Sequence, residues 1–154
     1  MAKFAEATKV TSDKSRAEIE RTLTRYGADQ FLYGWQESSA IVGFKMQGRQ
    51  VKFILPLPDR GSREFTHTPG RELERSAAQA EQAYEQAVRQ KWRALALVIK
   101  AKLEAVESGI TVFEDEFMAH IVLPGGQTVG DWMRPQIERA YETGKMPPLL
   151  PAPN

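Results

Sequence analysis

The apolar positions change period several times along the chain, and each change marks an element. Ile19, Leu23 and Tyr26 recur at i, i+4 and i+7, one face of a helix. Ser12 is a suitable N-cap, with Ser15 and Glu18 as an alternative capping box one turn later. Gly27 stands where a C′ glycine ends a helix. The spacing predicts a first helix over 13–26, preceded by a loose arm over 1–12. The period then drops to two. Phe31, Tyr33 and Trp35 alternate, and aromatic residues favour strands. Ala40, Val42, Phe44 and Met46 follow, then Val51, Phe53, Leu55 and Leu57, with Gly48 at a tight turn between the two runs. This predicts a three-stranded antiparallel meander. One face carries Val42, Phe44, Val51, Phe53 and Leu55, and the other carries Lys45 and Lys52.

Prolines and glycines punctuate residues 56–70, a loop long enough to be expected functional or mobile. No Gly or Pro then interrupts the chain from Leu73 to Val106. Ala77, Ala80, Tyr84, Val88, Trp92, Leu95, Ile99 and Leu103 keep a three-four spacing. One long helix of ~45 Å is predicted, at 1.5 Å per residue, with a possible break near 75–79 and a stop at Gly109. Beyond it, Thr111 is read as the cap of a short helix, and 120–123 and 127–129 as a short hairpin around Pro124-Gly125-Gly126. A last helix spans 131–143, with Pro135 in its first turn and Gly144 closing it. The Pro-rich tail over 145–154 is expected to be extended. The fold class is therefore α+β: an N-terminal helix, a three-stranded antiparallel meander, one long helix, and a C-terminal short hairpin and helix. A chain of 154 residues suits one such domain, assigned to 13–144.

Composition removes some chemistries. There is no Cys, so disulfides, thiol catalysis and Cys-ligated metals are out, and a reducing, cytoplasmic compartment is expected. No apolar run reaches the ~20 residues of a membrane span, and no membrane partner is expected. Phosphate-binding loops and a nucleophile elbow are missing. Two His residues leave few metal options. Glu116 and His120 lie four apart beside Glu114 and Asp115, a possible seed for a metal-dependent nuclease. A third and fourth ligand cannot be named, so no catalytic residue, metal or cofactor is assigned.

Charge changes the picture more. The net charge is only +1, but it is unevenly distributed. From Lys45 to Lys102 there are twelve basic and six acidic residues. From Glu104 to Glu142 there are two basic and eight acidic. Arg89, Arg93 and Lys100 fall at i, i+4 and i+11 on one side of the long helix, and the meander adds Lys45, Arg49 and Lys52. Two uses are open to these cations. They track phosphates in a groove between the polar sheet face and the helix, with Tyr33 or Trp35 stacking bases. Or they pair between subunits or with the acidic third. The expected function is non-enzymatic binding of nucleic acid, single-stranded DNA above all, by a homo-oligomer. The alternative is a protein-interaction module using the acidic third or the polyproline tail.

Two resemblances bear on this. The stretch Arg89-Gln-Lys-Trp-Arg-Ala-Leu-Ala-Leu-Val-Ile-Lys-Ala-Lys-Leu-Glu-Ala-Val-Glu-Ser-Gly109, with Phe113-Glu-Asp-Glu-Phe117 and the ending Pro147-Pro-Leu-Leu-Pro151, resembles a group of small phage and prophage proteins. That implies a phage origin and a bacterial host cell, and no chemistry of its own. The order helix, meander, basic long helix is similar to the core of the single-strand annealing recombinases. The matching pieces are Tyr26-Gly27, the hairpin at Gly48, and Arg89 to Lys102. This resemblance implies rings or filaments that hold single-stranded DNA between meander and helix.

Overall fold

The computed structural model describes residues 2–146, with side chains from Asp13 onward; the tail over 147–154 lies outside the described residues. Helix α1 (Ala2–Arg25) leads into strands β1 (Gln30–Gln36), β2 (Ser39–Met46) and β3 (Arg49–Pro56). Short helix α2 (Arg63–Thr66), long helix α3 (Ala77–Glu107), short helix α4 (Phe113–Glu116), a 3₁₀ turn (Met118–His120) and helix α5 (Val129–Thr143) follow. The α+β class and the order of helix, meander, long helix and C-terminal helix are those the pattern predicts.

The sheet is an antiparallel meander in the order β1-β2-β3. Two-residue turns join its strands, Glu37-Ser38 and Gln47-Gly48. Gln47 and Gly48 both take positive φ (50° and 74°), the twist that tight hairpins need. The register pairs Val42 with Phe53 and Phe44 with Val51, so the apolar alternations of β2 and β3 fall on one face. Helices α1 and α3 pack together over that face. Ile19 and Leu23 come from α1, and Tyr84, Val88, Trp92, Leu95, Ile99 and Leu103 from α3; all are buried. Phe117 closes one end of the core, edge-on to Phe44 (5.7 Å) and Phe53 (6.3 Å).

Several boundaries differ from expectation, each for a local reason. Helix α1 begins at Ala2, so the segment expected as an arm is helical from residue 2, and Ser12 lies inside the helix. No Gly or Pro occurs in that stretch to oppose the helix, and Ala is the best helix former. Helix α3 starts at Ala77, behind a reciprocal capping box in which Gln79 N–H donates to Ser76 Oγ (3.2 Å) and Ser76 N–H to Gln79 Oε1 (3.1 Å). Thr111 does not cap α4; Val112 precedes it with no side-chain cap. The expected hairpin is reduced to single bridges, Val51 to Ile121 and Val122 to Thr128. Thr128 instead caps α5, accepting from Asp131 N–H at 3.1 Å. That early start puts Pro135 inside α5 rather than in its first turn.

The 56–70 loop is clamped rather than loose. Leu57 and Phe65 are buried, and Phe65 meets Tyr84 edge-on at 5.6 Å. The Arg75 guanidinium donates to the carbonyls of Glu64 and Phe65 (both 3.2 Å), the last carbonyls of a helix too short to satisfy them. Arg60 pairs with Glu81 and lies over the Tyr84 ring at 4.2 Å.

Trp92 is the largest fully buried side chain. Its indole N–H has no acceptor among the described residues, so the side chain contributes by packing alone. Trp92→Ala should cost about 3–5 kcal/mol in urea unfolding, the scale of a large core truncation. Trp92→Phe should cost far less, because no hydrogen bond is lost with the indole.

Candidate nucleic-acid interface

Strand parity decides where the predicted ligand-contacting residues go. In the β1–β2 register Gln30 faces Lys45, Tyr33 faces Val42, and Trp35 faces Ala40. Val42 and Ala40 are fully buried under the helices, so Tyr33 and Trp35 belong to the helix-covered face. Tyr33 packs against Trp92 at 5.5 Å, and the Arg16 guanidinium caps its ring at 4.4 Å. Trp35 keeps 39% of its surface exposed at the sheet margin. Lys45 and Lys52 occupy the opposite, uncovered face, where Lys52 donates to the Gly126 carbonyl at 3.3 Å. The aromatic rings and the lysine side chains therefore leave the sheet on opposite faces, one residue of strand register apart, although Tyr33, Trp35, Lys45 and Lys52 all border one hollow. That hollow, of about 520 Å³, lies on the outer face, and its walls include Leu32, Tyr33, Trp35, Lys45, Lys52 and Val122.

The helical cations also lie elsewhere than expected. Burying Val88, Trp92 and Ile99 against the sheet turns the Arg89–Arg93–Lys100 stripe about 60–100° around α3, at 100° per residue. That flank faces α1, not the polar side of the sheet. Arg89 and Arg93 line a crevice of about 540 Å³ between the two helices, together with Lys14, Ser15, Glu18 and Gln86. Lys14 is the member that sequence reasoning missed, since nothing in its neighbourhood along the chain connects it to residues 89–93. Lys100 is exposed farther along the same flank, outside the crevice lining. Lys91 and Lys102 lie on the opposite flank.

Ion pairing takes up some of the cations and leaves those of the crevice out. Arg16 pairs with Asp13 (2.8 Å), Arg49 with Glu114 (3.4 Å), Arg63 with Glu72 (3.6 Å) and Lys102 with Glu116 (3.2 Å). The basic middle of the chain is thus partly neutralised by its acidic third, one of the two uses expected for these charges. Arg49, expected at the ligand, is one of the paired residues. Lys14, Arg89, Arg93 and Lys100 make no ion pair among the described residues.

The same pairs occupy the acids of the candidate metal cluster. Glu114 and Glu116 brace α4 against β3 and α3, and the His120 ring stacks on Phe53 at 4.1 Å. Among the described residues no three His, Asp or Glu side chains converge as a metal site would require. Helix α5 buries no side chain and exposes Trp132, Ile137 and Tyr141. Among the described residues no helix is long and apolar enough to cross a membrane. No family model, curated protein or solved structure matches the chain.

His120 has a pKa lowered from its ordinary 6.5, first by burial and then by the Lys102 ammonium, with a bond to the Lys52 backbone pulling the other way. The folded state therefore binds this proton more weakly than the unfolded chain does. Stability is unaffected by the group above pH 6.5 and falls as pH drops from there through the lower folded value. Urea midpoints measured from pH 7.5 downward should show this loss in the wild type and lack it in His120→Gln.

Proposed function

We propose that this protein is a non-enzymatic nucleic-acid-binding protein that holds a single strand by its phosphates in the α1–α3 crevice. The observation carrying the proposal is the gathering of Lys14, Arg89 and Arg93 from two helices into one groove, without acidic partners among the described residues. Elsewhere on the molecule Arg16 of α1, Arg49 of β3, and Arg60 and Arg63 of the clamped loop are each paired with an acid. An unpaired cluster of cations along a groove favours a polyanion, because phosphates release condensed counterions when cations replace them. Glu18 on the crevice wall limits the field but leaves a net positive lining. The binding is insensitive to base sequence, since the groove presents charges and amides rather than stacking rings. The resemblance of residues 89–109 to small phage proteins suggests phage DNA metabolism as the setting.

The second reading, a protein-interaction module, draws on a different observation. Trp132, Ile137 and Tyr141 are exposed on a helix that buries none of its side chains, and such side chains are ordinary anchors for a protein partner.

Fluorescence anisotropy of a labelled single strand over a range of salt distinguishes the two. Each phosphate contact contributes ~0.7 to the slope of log affinity against log salt on a single strand. The combined change Lys14→Ala, Arg89→Ala, Arg93→Ala should lower that slope by about 2. All three side chains are exposed, so each substitution should change stability by no more than ~0.5 kcal/mol. Lys45→Ala with Lys52→Ala, on the far face of the sheet, should leave the slope unchanged. A wild type that binds no strand would move the assignment to the interaction module.

A further inference from the structure

The two edges of the sheet are treated differently. The β3 edge carries Arg49, Lys52 and Pro56 and is covered, with Val122 N–H donating to the Gln50 carbonyl at 2.8 Å and Ile121 bridging Val51. Among the described residues the β1 edge has none of these devices. Its seven residues, Gln-Phe-Leu-Tyr-Gly-Trp-Gln, include no charge and no proline. Edge strands of natural proteins are ordinarily blunted by charge, proline, bulges or cover, because unpaired backbone groups template further strands.

The bonding pattern of this edge follows from its neighbour. The two-residue turn at Glu37-Ser38 makes Gln36 and Ser39 a hydrogen-bonded pair, and antiparallel bonding alternates from there. Gln30, Leu32, Gly34 and Gln36 therefore direct their N–H and C=O toward β2. Phe31, Tyr33 and Trp35 direct theirs outward, and none of these outward groups has a recorded partner among the described residues.

We propose that β1 pairs with β1 of a second copy, antiparallel and about a two-fold axis at Tyr33, joining two sheets into one of six strands. The sequence of β1 is self-complementary about that centre. Gln30 comes opposite Gln36, Phe31 opposite Trp35, and Leu32 opposite Gly34 of the second copy. In this register all three outward residues form bonded pairs: Tyr33 with Tyr33, and Phe31 with Trp35 twice. Leu32, 63% exposed, meets Gly34, the position that offers space. Around Gly34 nothing lies within 4 Å of where a side chain would begin, so the second copy's Leu32 has room above it. On the helix-covered side, Phe31 and the exposed margin of Trp35 make a cross-strand aromatic contact. The two-fold relation makes the interface isologous and closed, so it yields a dimer and not a fibre. It uses a different surface from the α1–α3 crevice and stands whether or not that crevice binds a strand.

Sedimentation equilibrium of the full chain should give twice 17.4 kDa. Leu32→Lys places a charge on an exposed position of the contact and should release monomers with an unchanged circular dichroism spectrum. Trp35→Pro removes an outward N–H that the protomer itself does not use, and should do the same. The register has its own test, because the chain contains no native cysteine. Leu32 and Gly34 form a non-bonded pair across the axis, so oxidising a mixture of Leu32→Cys and Gly34→Cys chains should cross-link them, far faster than either chain alone. A monomeric wild type overturns the proposal. So does a dimer that persists in folded Leu32→Lys, or a mixture that cross-links no faster than its components; these outcomes stand even if Trp35→Pro fails to fold.

Discussion

Val42, Phe44, Val51 and Phe53 stand side by side on one face of a three-stranded sheet, and water has to be kept off that face for the chain to fold at all. A sheet this small cannot bury both sides, and a hairpin alone is marginal in water. Helices α1 and α3 meet the need, with Trp92 at the centre and Phe117 sealing one end. Once α3 commits its Val88–Trp92–Ile99 stripe to the sheet, the direction of every other residue on it is settled. Arg89 and Arg93 turn toward α1, and Lys102 turns toward α4. The placement of charge on the molecule is thus a consequence of where the apolar stripe had to go.

Electrostatics then sorts the cations into two groups. The basic middle and acidic third of the chain meet where α4 packs beside β3 and α3, and there Arg49 and Lys102 find Glu114 and Glu116. The Arg49–Glu114 pair is exposed and adds little to stability, while Lys102–Glu116 is partly buried. Their effect is to consume acids that would otherwise make a ligand cluster. A half-buried, stacked His120 beside Lys102 fits that structural use of the segment. The lining of the α1–α3 crevice holds one acid, Glu18, against Lys14, Arg89 and Arg93, and stays positive. The proposed function rests on that contrast rather than on the total charge, which is near neutral.

The uncovered parts of the sheet carry the other half of the picture. Covering one face leaves Leu32 and Ile54 in solvent on the other. The C-terminal segment reaches back to protect β3, yet no described element reaches β1. A meander necessarily ends in two edges, and among the described residues only one of them is guarded.

The sequence by itself determined the elements and their order. Period-two alternation in residues 31–57 and a three-four spacing over 77–103 are local signals, written within one or two turns of chain, and the folded elements obey them. It also identified Trp92 as a core residue and Arg89 with Arg93 as one stripe. It did not determine which face each site residue would share with which other. Tyr33 and Lys45 look like neighbours on a polar groove until the register puts Val42 opposite Tyr33 and Gln30 opposite Lys45. Lys14 looks unremarkable until α1 lies along α3. Glu114 and Glu116 look like ligands until Arg49 and Lys102 arrive beside them. Such pairings join residues far apart along the chain, and their partners are chosen by the burial of a shared core. No local period encodes them, and only the packed tertiary structure decides them.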